Sequence, residues 1–167
     1  MERKKFNTSP CSIARSLDVL GDWWKPLILR ECLYGNARFD SMQFWLGISR
    51  NILTRRLTEL IDEGLLRKQA YQDKPVRYEY RLTEKGHDAC QILLALMPFG
   101  ERWFFEQGKH PIELRDRKTG ERVVPMVVDA NTGKPLDSRN LVPCPGPGFE
   151  APHDIVKRRF VEFFESD

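Results

Sequence analysis

The chain has 167 residues, of which 41% are hydrophobic and 31% charged, and its formal net charge is +3. This length suits one domain with an extension and excludes three domains. The composition is too apolar for a disordered chain and too polar for a membrane protein. No segment approaches the roughly 18 apolar residues of a membrane span, and the first residues do not lead into a signal-peptide apolar region. We therefore expect a cytoplasmic protein.

The positive charge is concentrated in one part of the chain. Residues 1–106 contain 17 Lys and Arg against 14 Asp and Glu, whereas residues 107–167 contain 10 of each. Residues 49–81 alone hold eight basic and five acidic side chains. This distribution predicts one basic face, which is typical of a local contact with nucleic acid. The alternative is an ordinary solvated surface.

Two helices are predicted in the first 35 residues. Residues 9–20 fit a helix with Ser9 as cap, Pro10 in the first turn, apolar residues at spacings of three and four, and Gly21 at its end. Residues 26–34 are nearly all apolar and stop at Gly35. The second helix is therefore expected to be the buried one.

The next stretch predicts a helix-turn-helix. Asp40 and Gln43 fit a capping box, and Phe39 and Phe44 fit the hydrophobic staple that accompanies it, so a short helix is expected there. After a break at Gly47, a second helix is predicted over residues 49–63, with Ser49 as its cap and Gly64 as its end. Two helices joined by a three-residue turn with a glycine are typical of this motif.

The second helix of the motif has two different faces. Its apolar face contains Leu53, Leu57, Leu60 and Ile61, with Ile52 at the edge. Its polar face contains Asn51, Thr54, Arg55, Thr58 and Asp62. Asn, Thr and Arg can bond base edges or phosphates, and the N-terminal half of such a helix enters the major groove. We therefore expect Asn51, Thr54 and Arg55 to face bases, and Ser49 and Arg50 to lie near phosphates.

A hairpin and a long helix complete this part of the chain. Residues 65–71 and 76–82 predict two strands around a turn at 72–75; in the second strand Val76, Tyr78, Tyr80 and Leu82 alternate with polar residues. Lys74 and Arg77 then lie at a basic tip that can reach the DNA backbone or minor groove. The fold class is mainly α with a small β-hairpin wing, the winged helix-turn-helix.

The helix that begins near Thr83 carries Ala89, Ile92, Leu93, Leu96 and Met97 on one face, and Pro98 is expected to kink or divide it. Its aromatic end and the first helix expose more apolar surface than one small domain can bury, which predicts a dimer. The proposed interface residues are Leu17, Leu93, Trp103 and Phe104.

These motifs together resemble a known family. The residues that carry the resemblance are 11–24, Leu27-Ile28-Leu29-Arg30-Glu31, Arg38-Phe39, residues 47–53, Leu57-Thr58-Glu59-Leu60, Gly64-Leu65, residues 77–83 and Gly86. In this order they resemble the HxlR-type branch of the MarR-like winged-helix transcriptional regulators, over roughly residues 11–107. The resemblance implies a homodimeric, cytoplasmic regulator that binds a double-stranded DNA operator, is not an enzyme, and responds to an oxidant or a small-molecule inducer. A winged-helix module that binds proteins instead of DNA is the alternative.

The four cysteines, Cys11, Cys32, Cys90 and Cys144, are widely spaced and form no Cys-x-x-Cys pair, so neither a metal, another cofactor nor a disulfide framework is expected. Several HxlR-type proteins sense oxidants or electrophiles through a cysteine at the position that Cys11 matches. If Ser9 caps the first helix, Cys11 lies in its first turn, where free amides and Arg15 favour a thiolate. Cys11 is therefore the redox-sensing candidate; the alternative is a small semi-apolar residue at a helix start.

Residues 108–167 are expected to form a separate C-terminal extension. Thr119-Gly120 and Thr132-Gly133 occupy equivalent positions in two similar turns, thirteen residues apart. This is similar to the small ribbon on some family members, but the knuckles lack cysteines, so zinc binding is not expected. A stiff linker at 143–148 and a final helix over 154–165 are predicted to follow; a flexible tail is the alternative.

Overall fold

The computed structural model describes residues 5–7, 9, 11–144 and 146–148. The chain forms two compact units, Met1–Met126 and Val127–Asp167. In the described part of the first unit, five helices and a hairpin follow one another in the predicted order, and the predicted fold class is confirmed. They are α1 (Ser12–Leu20), α2 (Trp24–Leu33), α3 (Phe39–Leu46), α4 (Arg50–Asp62), β1 (Leu66–Asp73), β2 (Val76–Leu82) and α5 (Glu84–Phe104).

The first two helices begin at different residues from those predicted. Cys11, in extended conformation, is the N-cap of α1, so the prediction that it lies in the first turn was wrong. Ser9 does not cap α1; its Oγ accepts a hydrogen bond from the Cys11 N–H at 3.2 Å, while Pro10 lies outside the described residues. Helix α2 begins two residues early, because Asp22 Oδ1 accepts from the Trp24 N–H at 3.0 Å.

Helix α3 does not begin with the predicted capping box. Arg38 is its N-cap and Asp40 lies in the first turn, without a side-chain cap bond. The backbone of Arg38 is extended because it forms a β-bridge with Glu79 of the hairpin, and this tertiary pairing fixes where the helix starts. Phe44 is 77% exposed and packs edge-on against Trp45, so the predicted staple was also wrong.

Helix α4 has the predicted boundaries. Gly47 ends α3 with a φ of 62°, in the left-handed region that favours glycine. Ser49 is the N-cap of α4, and its Oγ accepts from the Ile52 N–H at 3.4 Å. Gly64 follows α4 with a φ of 71°. The helix-turn-helix geometry is thus set by residues that the sequence identifies.

The core lies between α2, α3, α4 and the start of α5. Leu53, Leu57 and Leu60 of α4 are buried, as the periodicity predicts. They pack in one cluster with Ile28, Leu29, Met42, Ile48, Leu65, Leu66, Ala89 and Cys90. Each fully buried leucine or isoleucine contributes about 1.5–3 kcal/mol. This cluster therefore holds α4 by its apolar face and leaves its polar face in solvent.

The hairpin packs on the core only at its base. Strands β1 and β2 are antiparallel, with Leu66 opposite Leu82 and a register shift between Ala70 and Gln72. Leu82 and Tyr80 are half-buried against the core, but Val76 and Tyr78 are exposed. The alternating face predicted for β2 is thus buried over half its length, because the distal part of the hairpin extends beyond the core.

Helix α5 has a side-chain N-cap hydrogen bond and runs without a division. Thr83 Oγ1 accepts from the Gly86 N–H at 3.1 Å. A Cβ at residue 86 would lie 2.1 Å from the carbonyl oxygen of Leu65, so only glycine fits this close approach. The helix continues past Pro98 to Phe104, so of the two predicted outcomes, a kink or a division, the division does not occur. The proline removes one hydrogen bond, and the turns on either side remain helical.

The two Thr-Gly sequences form turns of the same local design, one in each unit. In the first, Asp116 Oδ1 accepts from the N–H groups of Lys118 and Thr119, both at 2.8 Å, and Gly120 has a φ of 72°. The turn joins β3 (Leu114–Arg115) to β4 (Arg122–Val123). In the second, Asp129 Oδ1 accepts from the Asn131 N–H at 3.0 Å, and Gly133 has a φ of 66°. The final helix predicted over 154–165 lies outside the described residues.

Candidate nucleic-acid interface

The polar face of α4 is exposed along the whole helix. It carries Asn51, Thr54, Arg55, Thr58 and Asp62, all of which are exposed. Thr54 Oγ1 donates to the carbonyl oxygen of Arg50 at 2.8 Å, and Thr58 Oγ1 donates to that of Thr54 at 3.1 Å. Both hydroxyls keep acceptor capacity, and the threonine methyl groups can meet apolar atoms. This face can therefore offer donors, acceptors and methyl contacts, the groups that read base edges.

The residues at the start of α4 are exposed and held by local contacts. Ser49 Oγ is engaged as a helix cap, although its hydroxyl can still donate. Arg50 Nη1 lies 3.8 Å from Asp40 Oδ1, and its guanidinium lies 4.9 Å from the centroid of the Phe39 ring. An exposed pair at this distance is weak, so Arg50 is available to an anion.

Arg55 forms an ion pair with a carboxylate on its own helix. Arg55 Nε lies 3.1 Å from Glu59 Oε1. Two further cations contact Glu59: Lys25 Nζ lies 3.1 Å from Oε2, and Arg56 Nη1 lies 3.0 Å from Oε1. Partial burial raises the pKa of Glu59, but the hydrogen bond from Lys25 and the charges of Lys25 and Arg56 outweigh it and lower the pKa below its ordinary value. Glu59 is thus an anion surrounded by cations.

The basic side chains of the hairpin are exposed, and one of them, Arg81, pairs with Glu79, with its Nε 2.8 Å from Oε1. Among the residues that the structure describes, no carboxylate lies within 4.0 Å of Arg67, Lys74 or Arg77. Lys68 Nζ lies 4.0 Å from the Tyr78 ring centroid. Lys74 and Arg77 lie at the tip, next to the closing pair Asp73 and Val76. The hairpin thus presents positive charge to solvent, as a phosphate contact requires.

The proposed interface residues for a second subunit differ in exposure. Trp103 is 64% and Phe104 is 73% exposed near the end of α5, and Phe104 packs edge-on against Phe99. Leu17 of α1 is also exposed, whereas Leu93 is half-buried and packs against the core. The largest apolar exposure in this set therefore belongs to the two aromatic residues.

The four cysteines have different environments. Cys11 and Cys144 are exposed, Cys32 is half-buried and Cys90 is buried. Burial raises the pKa of the Cys32 thiol to about 12 and also raises that of Cys90. At the start of α1, Arg15 Nε donates to the carbonyl oxygen of Ser9 at 2.6 Å, which brings the guanidinium back towards the helix N-terminus.

The sequence alone did not reveal the ion-pair network behind α4. The spacing of Arg55, Arg56 and Glu59 allows pairs along one helix, and that signal was available. Lys25 and Asp22 come from a distant part of the chain, and only the tertiary structure brings them to α4. Arg56 Nη2 lies 2.6 Å from Asp22 Oδ2, and both side chains are largely buried.

In the described part of the chain, no group of three or more His, Cys, Asp and Glu side chains is arranged to hold a metal ion. No helix within that part has the length and apolar character needed to span a membrane.

The fold and the exposed face of α4 define the class of a winged helix-turn-helix regulator. The profile of the HxlR-like helix-turn-helix family matches residues 19–108. The uncharacterized HTH-type transcriptional regulators Rv3095 of Mycobacterium tuberculosis and Mb3122 of Mycobacterium bovis are each 39% identical over 140 residues, covering 84% of this chain and 89% of the relative. The chain belongs to the HxlR-like family of DNA-binding transcriptional regulators, and the resemblance inferred from the sequence is confirmed.

Solved structures agree with this assignment. The crystal structure of PA1607, a proposed transcription factor, aligns with a TM-score of 0.73 and 34% identity, covering 83% of this chain and 96% of that chain. The redox regulator HypR in its oxidized form aligns with a TM-score of 0.52 and 31% identity, covering 55% of this chain and 96% of its own. The likeness to HypR thus spans about half of the present chain.

Proposed function

We propose that this protein regulates transcription by binding a pseudo-palindromic operator as a homodimer, with α4, the recognition helix, in the major groove. The observation that carries the proposal is the exposed face of Asn51, Thr54 and Arg55 on a helix whose opposite face is anchored in the core. Groove entry presents the N-terminal turns of such a helix to the bases.

Each proposed contact has a distinct task. Asn51, Thr54 and Arg55 read base edges, because amide, hydroxyl and guanidinium groups match the major-groove pattern. Ser49 and Arg50 contact phosphates at the helix start, where free N–H groups also favour an anion. Lys74 and Arg77 of the hairpin contact the backbone or the adjacent minor groove.

The dimer is proposed from the apolar surface outside the recognition helix. Trp103 and Phe104 are the proposed anchors, since large aromatic side chains dominate interface energies. Leu17 and Leu93 are the proposed aliphatic contributors. In this proposal residues 11–107 are the DNA-binding domain, and residues 108–167 are a C-terminal extension.

A winged-helix module that binds proteins is the competing function. An acidic recognition face would favour it, but the N-terminal half of this face carries Arg50, Asn51, Thr54 and Arg55. An enzymatic role has less support, because His87, His110 and His153 belong to no nucleophile, metal or phosphate-loop motif in the sequence. The basic and polar face therefore favours DNA.

A gel shift with the full chain tests the proposal. The probes are the DNA upstream of the chain's own gene and a scrambled duplex of the same composition, at about 50 mM and 200 mM salt. We expect a specific complex at both salt concentrations and a scrambled-DNA complex that is lost at the higher one. Failure to shift either duplex at low salt would overturn DNA binding and favour the protein-binding alternative.

We also propose that oxidants or electrophiles control the regulator through Cys11. The support is the exposure of Cys11 at the start of α1 and the likeness to a protein described as a redox regulator. Modification of Cys11 would shift α1 and alter the spacing of the two recognition helices in the dimer. Operator binding before and after treatment with diamide, in wild type and Cys11→Ser, tests this role.

A further inference from the structure

The carboxylate of Glu59 is shared by three cations from two helices. Lys25 Nζ lies 3.1 Å from Oε2, and Arg56 Nη1 lies 3.0 Å from Oε1 and 3.1 Å from Oε2. Arg55 Nε is the third cation, 3.1 Å from Oε1. Only Arg55 is on the solvent side: its side chain is 70% exposed, against 8% for Lys25 and 15% for Arg56. Glu59 thus connects the buried and exposed sides of α4.

The buried cations fix the position of this carboxylate. Arg56 is itself held by Asp22, whose Oδ2 lies 2.6 Å from Nη2. Rotation of Glu59 away from α2 would leave Lys25 as a buried ammonium without its carboxylate, which is strongly unfavourable. Glu59 therefore keeps one orientation, and Oε1 faces Arg55 in that orientation.

The ion pair with Glu59 uses Nε of Arg55 and leaves the two terminal guanidinium nitrogens for DNA. A free arginine side chain samples many rotamers, and ordering it on DNA costs entropy. The bond from Nε to Glu59 restricts those rotamers in advance. The two terminal nitrogens remain available for a bidentate contact to a guanine, the most frequent specific contact of arginine. An ordered Arg55 would therefore discriminate better between bases than a free one.

We propose that Glu59 is a positioning residue that holds Arg55 in a base-reading conformation, with Lys25 and Arg56 as its fixed supports. The inference rests on the proposed DNA binding and deepens it. Glu59 adds a negative charge close to the DNA phosphates, so it lowers general affinity for DNA while it raises discrimination. A merely structural role would not produce these opposite effects.

The experiment compares wild type and Glu59→Gln by fluorescence anisotropy with the full chain. The probes are the duplex that wild type selects from a random pool and a scrambled duplex. We expect the ratio of the two affinities to fall about fivefold, the equivalent of an ion pair worth ~1 kcal/mol. Affinity for scrambled DNA should stay equal or increase. Glu63→Gln, which removes the same charge from the exposed end of the helix, should leave the ratio unchanged.

A double-mutant cycle separates positioning of Arg55 from a general effect on folding. In an Arg55→Ala background, Glu59→Gln should leave the affinity ratio unchanged, because no guanidinium remains to be positioned. If Glu59→Gln unfolds, the cycle is repeated with Lys25→Met/Glu59→Gln against Lys25→Met, since this pair of variants leaves no buried ammonium.

The outcomes distinguish this inference from the function on which it rests. An unchanged ratio in Glu59→Gln, or an equal loss in both backgrounds, would overturn the positioning role while DNA binding stands. A wild type that binds both duplexes equally would overturn sequence-specific binding itself, and the inference with it.

Discussion

Arg56 Nη2 of the recognition helix lies 2.6 Å from Oδ2 of Asp22, and the two side chains are 15% and 12% exposed. Asp22 lies between α1 and α2, and its other oxygen accepts from the Trp24 N–H at the start of α2. One carboxylate thus fixes the beginning of α2 and the side of α4. The orientation of the recognition helix depends on this polar link as well as on the leucine core.

Asp22→Ala should therefore destabilise the protein. It leaves Arg56 with Glu59 alone and removes an acceptor at the start of α2, so we expect a loss of about 2–3 kcal/mol of unfolding free energy. Urea unfolding followed by circular dichroism measures it. Asp62→Ala, which removes an exposed carboxylate from α4, should stay within about 0.5 kcal/mol of wild type. Equal effects of the two substitutions would contradict a structural role for Asp22.

Arg55→Ala should reduce specific binding more than general binding. A base contact by Arg55 predicts a loss of ~1–3 kcal/mol on the operator and much less on scrambled DNA. Anisotropy titrations with both duplexes give the two values. Arg55→Lys is the matched control, since it keeps the charge but not the bidentate geometry, and it should remain impaired on the operator alone. Equal losses on both duplexes would reassign Arg55 to a phosphate.

Arg77→Ala should weaken binding to all sequences alike. The side chain is exposed at the hairpin tip and has no carboxylate within 4.0 Å among the described residues, which suits a phosphate contact. Its loss should reduce the slope of log affinity against log salt by about one. Arg117→Ala, an equal charge change in the Thr119-Gly120 turn, should leave the slope unchanged. An unaltered slope in Arg77→Ala would show that the wing does not contact DNA.

Local sequence signals predicted α4 and its turn well. Ser49, Gly47 and Gly64 act through their own backbone and side chains, so their effect depends little on the rest of the fold. The start of α3 depended on a tertiary contact: the bridge between Arg38 and Glu79 overrides the capping box that Asp40 could have formed. Pairing between elements distant in sequence leaves no such local pattern.

The same distinction applies to the candidate site. The polar face of α4 follows from helical periodicity, and the exposed position of Arg55 was therefore predictable. The neighbours of Glu59 were not, because Lys25 reaches it from the first turn of α2, one residue before the apolar helix predicted over residues 26–34. Only the fold shows that this lysine is buried and identifies its partner.

The proposed dimer predicts the layout of the operator and a role for the end of α5. Two recognition helices related by a two-fold axis require half-sites about one helical turn, ~34–36 Å, apart. Trp103→Ala/Phe104→Ala should shift the protein to monomer at micromolar concentration and abolish binding to the full operator. Light scattering and a gel shift on duplexes with altered half-site spacing measure both effects. Tight binding of a wild-type monomer to one half-site would contradict this arrangement.

The burial of the four thiols predicts the order in which they react. The raised pKa of Cys32, about 12, keeps this thiol protonated in the folded protein until the pH approaches that value. The pKa of Cys32 is higher in the folded protein than in the unfolded chain, where it is ~8.5. The stability linked to this thiol is therefore fully present below pH ~8.5 and is lost as the pH rises from that value to about 12. At pH 8, iodoacetamide should label Cys11 and Cys144 in the native protein, and Cys32 and Cys90 only after unfolding. Peptide mass spectrometry measures the extent of labelling at each cysteine.

The sensing proposal assigns regulation to Cys11 rather than to Cys144, although both are exposed. Cys11 occupies the N-cap position of α1, so an adduct or a disulfide there alters the start of a helix that we place at the dimer interface. After diamide treatment, wild type and Cys144→Ser should lose at least about tenfold in operator affinity, the equivalent of ~1.4 kcal/mol. Cys11→Ser should bind equally before and after treatment. Loss of binding in oxidised Cys11→Ser, or unchanged binding in the oxidised wild type, would contradict the sensor role.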